Sequence, residues 1–121
     1  MNTFGDQLRK RRKELRLGLR GFALRAGMDP GNLSKIERGR LRAPQSDDVL
    51  ERICLALEYE LGSDEAQALR DLAAAETGRI PPEILDDQEM MVRMPVLLRT
   101  VHNKQLSPEE LDRLIEMIKE A

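Results

Sequence analysis

The side chains here that could do chemistry are cationic and amide groups rather than nucleophiles. Cys54 and His102 are each the sole residue of their type. A lone cysteine makes no intramolecular disulfide and no multi-cysteine zinc site, and Cys54 reads as a packing residue. No glycine-rich phosphate loop and no nucleophile–base spacing is present, which argues against an enzyme. The carboxylates Asp86, Asp87 and Glu89 are close enough in sequence to hold a cation, but a single acidic run reads as a solvated face. Neither a metal nor a cofactor is expected.

What remains is a hydrogen-bonding surface concentrated in Gly27–Gly39, GMDPGNLSKIERG. Gly27 ends one helix, and Asp29 with Pro30 supplies the N-cap and first-turn proline of the next. Leu33 and Ile36, three apart, define a buried face. Asn32, Ser34, Lys35 and Arg38 face the other way, and Gly39 stops the helix. A short helix with polar residues near its start, closely preceded by another helix, is what a DNA major groove admits. An ordinary amphipathic surface helix fits these residues equally, so the flanking sequence has to decide.

Composition narrows the elements that position this stretch. The chain has 121 residues, 35% charged and only 2% aromatic, with no tryptophan. Its core must come from Leu, Ile, Val, Ala and Met, which favours helices over sheets. Residues 1–45 carry a net charge of +8 and residues 46–121 a net −10, so only the first part suits a polyanion. Phe4 leads directly into a charged run, without the apolar segment of a signal peptide. Nor is there an apolar run near 20 residues, so no membrane contact is expected. A cytoplasmic protein fits best, with a secreted protein lacking its signal as the alternative.

Thr3 caps a first helix to about Arg16, with Phe4, Leu8 and Leu15 on one face and a cationic block at Arg9–Lys13. Arg12 lies one turn from both Leu8 and Leu15. Part of its stem therefore rests against the core and needs an acidic partner. A second helix, Leu19–Ala26, packs through Phe22, Ala23 and Ala26. After the Gly27–Gly39 stretch and an RLRAP loop, Ser46 caps a fourth helix with Val49, Leu50, Ile53 and Leu57 inward. Ser63 caps a fifth with Ala66, Leu69, Leu72 and Ala73 on one face. Pro81-Pro82 forms a stiff connector. A weak acidic helix over residues 83–91, a separate short one from Pro95 to His102, and a last one opened by the capping box Ser107–Glu110 complete an all-α chain.

Phe22-Ala23, Ala26-Gly27 and Leu33-Ser34-Lys35-Ile36-Glu37-Arg38-Gly39 resemble the helix-turn-helix of the phage repressor and Cro-like (XRE) family. The resemblance covers residues 4–62. It implies a five-helix lambda-repressor-like DNA-binding domain at 1–62, with a helical extension at 63–121, in a bacterial or phage protein that joins the nucleoid when bound. It also implies that Arg12 pairs with Glu37. Base reading in the family comes from the first, second and sixth residues of the third helix, here Pro30, Gly31 and Lys35. Pro30 and Gly31 have no side-chain hydrogen-bonding groups, so direct readout falls to Asn32, Lys35 and Ser34. The end of that helix, at Pro30–Asn32, is expected to meet a phosphate. Phosphates are expected to meet Lys10, Arg11, Lys13, Arg38, Arg40 and Arg42, with Arg20 standing in beside Leu19, where the family often has a polar residue.

The acidic extension avoids DNA and is expected to meet protein. The stripes at 64–76, 95–102 and 108–120 fit a homodimer interface or packing within one chain, and Met90, Met91 and Met94 fit core better than contact surface. The resulting expectation is a dimeric, sequence-specific repressor of a palindromic double-stranded DNA operator. The alternative is an antitoxin-type autoregulator whose residues 63–121 bind a protein partner.

Overall fold

The computed structural model describes residues 2–121, and every regular element among them is an α-helix. The chain divides into two compact units, the first running to Pro81 and the second from Pro82 to Ala121.

The first unit contains α1 (Phe4–Glu14), α2 (Leu19–Ala26), α3 (Pro30–Glu37), α4 (Asp47–Ala56) and α5 (Asp64–Glu76). Thr3 and Asp6 form a capping box on α1, each side chain accepting from the other's backbone N–H. Those Thr3 hydrogen bonds hold the exposed Asp6 carboxyl below its usual range. The Asp6 arm of the box is therefore intact at neutral pH and weakens as acidification protonates the carboxyl, while the Thr3 hydroxyl goes on accepting the Asp6 N–H. Helix α1 stops at Glu14, short of Arg16, which takes a left-handed conformation. Leu15 consequently lies half-buried outside the core rather than on its face, and Leu17 packs there instead. Gly27 closes α2 at φ 67°, a region costly for other residues. Ser46 stands at the N-cap position of α4 without making the expected side-chain hydrogen bond.

The core is built from Phe4 and Leu8 of α1, Phe22, Ala23 and Ala26 of α2, Leu33 and Ile36 of α3, and Leu50, Ile53 and Cys54 of α4, with Leu57 just beyond it. Cys54 is fully buried, and that burial pushes its thiol pKa up, so it stays protonated and unreactive.

The expected domain boundary at residue 62 falls instead at 81. Ala66, Leu69 and Ala73 of α5 are buried in the core, and Leu72 packs against it. Polar contacts reinforce this seat. Glu76 accepts the Phe4 N–H at the start of α1 at 2.8 Å, and Arg70 pairs with Asp47 at the start of α4. The stripe at 64–76 is thus intrachain packing and is removed from the candidate dimer surfaces. Helix α5 packs on both α1 and α4, which is why it belongs to this unit.

The second unit holds α6 (Pro82–Leu85), α7 (Gln88–Lys104) and α8 (Pro108–Glu120). In place of separate helices at 83–91 and 95–102, one helix runs through Pro95. A proline inside a helix removes one hydrogen bond and costs about 3 kcal/mol. Here the Asp87 cap, accepting from Met90 N–H at 3.0 Å, starts the helix seven residues earlier and carries it through. No residue of α6, α7 or α8 is fully buried. Met90 is exposed and Met91 and Met94 are half-buried, so the methionines are not core. Asp87 and Glu89 have structural partners, the latter in an ion pair with Arg93 at 2.7 Å. No helix among the described residues is long and apolar enough to cross a membrane.

Leu69→Ala is expected to destabilise the first unit by about 2–5 kcal/mol, as for other fully buried leucines. A chain ending at residue 62 is expected to lose the cooperative thermal transition that one ending at residue 81 retains. Circular dichroism melts of the three proteins check both.

Candidate nucleic-acid interface

The interface is organised by α3, whose orientation is fixed from beneath. Arg12 and Glu37 meet in a two-pronged ion pair, Nε to Oε2 at 2.7 Å and Nη2 to Oε1 at 2.8 Å. The third guanidinium nitrogen, Nη1, donates to the Leu17 carbonyl at 2.8 Å. Both side chains are buried, and among the described residues no buried side-chain polar atom lacks a partner. The Glu37 hydrogen bonds raise the Arg12 pKa further, so the guanidinium keeps its charge despite burial.

Gly5 has an equal part in placing α3. A Cβ on Gly5 would stand 2.3 Å from the Ile36 carbonyl oxygen, closer than real atoms approach. Helix α1 therefore crosses the end of α3 at a distance only glycine allows. The only sequence signal for this is a glycine within the first turn of a helix, where that residue is costly.

Above this seat, Leu33 and Ile36 face the core while Pro30, Gly31, Asn32 and Lys35 are exposed along the opposite edge and Ser34 is half-buried. The Asp29 carboxylate accepts the Asn32 N–H at 3.0 Å. The start of α3, the expected phosphate position, is thereby occupied by the Asp29 carboxylate. Helix α2 differs. Its N-cap is Gly18, exposed and without a side-chain cap, so its first N–H groups remain open to an anion. Leu19 behind them packs against the core, and Arg20 is exposed.

The cations divide into two groups. Lys10, Lys13, Arg20, Lys35, Arg40 and Arg42 are exposed and make no ion pair among the described residues. Arg38 folds back, its Nε donating to the Ser34 carbonyl at 3.4 Å. Arg11 is committed elsewhere. Its Nε donates to the Leu57 carbonyl at 3.1 Å, Nη1 pairs with Glu14 at 3.4 Å, and its guanidinium lies 5.1 Å from the centre of the Tyr59 ring. It joins α1 to the end of α4, so its guanidinium is engaged within the fold rather than free like the exposed cations. Sequence spacing alone does not separate Arg11 from Lys10 and Lys13, since all three lie in one cationic run.

Residues 3–69 match the family model for a helix-turn-helix domain. No curated protein and no solved structure matches the chain.

Glu37→Ala is expected to cost about 3–5 kcal/mol of stability by leaving a buried guanidinium unpaired. Gly5→Ala is expected to lower the melting temperature by a steric route, its Cβ forcing α1 and α3 apart. Thermal melts within a degree of the parent protein would contradict both.

Proposed function

Because the chain belongs to the helix-turn-helix domain family, we propose that it is a sequence-specific, DNA-binding transcriptional regulator, a dimeric repressor that reads a palindromic operator through α3. The observation that carries this is the exposed polar edge of α3, held rigidly by Arg12–Glu37 and surrounded by unpaired cations.

In this reading α3 lies in the major groove. Asn32 has the paired donor and acceptor to engage adenine, and Lys35 suits the O6 and N7 of guanine. Ser34, half-buried, contributes a single hydroxyl. Pro30 and Gly31 offer no hydrogen bond and only close approach, and Pro30 suits the methyl of thymine. The open start of α2, with Lys10, Lys13, Arg20, Arg38, Arg40 and Arg42, neutralises phosphates and fixes the register. Two copies related by a two-fold axis would engage half-sites about 34–36 Å apart.

The second reading, an antitoxin-type autoregulator, keeps the same DNA contacts and assigns the acidic C-terminal half to a protein partner. The exposed apolar side chains of α7 and α8 support this reading.

Selection from random double-stranded DNA should return an inverted repeat. Lys35→Ala and Asn32→Ala should each relax preference at one position per half-site by about 1–3 kcal/mol. Arg40→Ala should instead weaken all sequences evenly and lower the salt dependence by about one counterion. Arg11→Ala should leave that salt slope unchanged. A selected motif and affinity indifferent to Lys35→Ala would remove α3 from the groove.

A further inference from the structure

The apolar faces of α7 and α8 are unusually bare. Leu98 is 60% exposed, Ile115 49% and Ile118 68%, and no residue of the second unit is fully buried. The two helices are joined by Gln105–Ser107, with Gln105 in the left-handed region, and do not pack along their lengths. Within this unit the short α6 packs on α7, yet Leu98 and the apolar stripe of α8 stay uncovered, as on an amphipathic helix without a partner.

Their sequences complement each other in two respects. Read backward along α7, the apolar residues Leu98, Met94 and Met91 are spaced four and three apart. Read forward along α8, Leu111, Ile115 and Ile118 have the same spacing. Laid antiparallel, the two helices match layer for layer, with the 3.5-residue repeat that lets side chains interlock. In that register Arg99, beside Leu98, falls next to Glu110 and Asp112, which flank Leu111. More broadly, the last two turns of α7 carry Arg99, His102 and Lys104 and no acid, while the first turns of α8 carry Glu109, Glu110 and Asp112.

We propose that these faces are covered by a second copy of this chain, α7 of one copy packing antiparallel on α8 of the other. A two-fold axis makes the contact twice and closes the assembly, leaving no free edge. The match in spacing and charge favours a second copy over an unrelated protein, since an unrelated partner gives no reason for the chain to complement itself. This inference rests on the dimeric reading above and specifies which helices form the dimer.

The test uses the full chain. Its mass by light scattering should be that of two chains. A Leu98→Cys protein mixed with a Leu111→Cys protein should form a disulfide-linked pair on oxidation, while each variant alone stays uncrosslinked. Cys54 does not interfere because it is buried. Asp112→Arg should shift the protein toward monomer, and adding Arg99→Asp should restore the dimer. A dimer that resists cross-linking and ignores Asp112→Arg would overturn the α7–α8 exchange while leaving the dimeric reading standing. Cross-linking confined within single chains of the Leu98→Cys/Leu111→Cys double variant would also overturn the exchange. A monomer at concentrations that saturate the selected operator, or one that dimerises only with a different protein, would overturn both.

Discussion

The first unit depends on one buried ion pair. Arg12 reaches Glu37 with two nitrogens and the Leu17 carbonyl with a third, so a single side chain links α1, α3 and the segment leading into α2. Desolvating two charges is expensive, and buried pairs of this kind often add little to stability over well-packed apolar residues. What the pair supplies is direction. An apolar contact allows α3 to slide or rotate, whereas a planar guanidinium facing a carboxylate has one good geometry. Gly5 adds the distance to that direction, because the Ile36 carbonyl comes too near for any side chain at that position.

Much of this was legible in the residues and some was not. The all-helical character, the caps at Thr3, Asp29, Ser63 and Ser107, and the buried faces of α2, α3 and α4 follow from local periodicity and capping chemistry, which are properties of short windows. The Arg12–Glu37 pair was reachable only through the family resemblance, since nothing in spacing links residues 25 apart. The fifth helix shows the opposite limit. Ala66, Leu69 and Ala73 announce a buried face but not what buries it, and only the packing against α1 and α4 assigns α5 to the first unit. Arg11 illustrates the same point for charge. Within a cationic run, which members face solvent depends on helix phase and on neighbours such as Tyr59 and Leu57, which come from more than 40 residues away.

Pro95 lies inside a helix for a physical reason. Proline usually opens a helix or ends one, yet the cap at Asp87 begins α7 early enough for the proline to fall inside it. The unbroken helix matters for the surface it presents. It aligns Met91, Met94 and Leu98 on one continuous face, which two shorter helices with a break between them would have split.

Tyr59 closes the junction between α1 and the end of α4, with the Arg11 guanidinium over its ring and Gln7 donating to its hydroxyl at 3.3 Å. The chain has no tryptophan and no other tyrosine. Its near-ultraviolet signal beyond phenylalanine therefore originates at one place, the seam joining the helix that carries Arg12 to the rest of the core. The protein thus carries an intrinsic optical reporter for the packing that orients α3, readable without any label in the free protein.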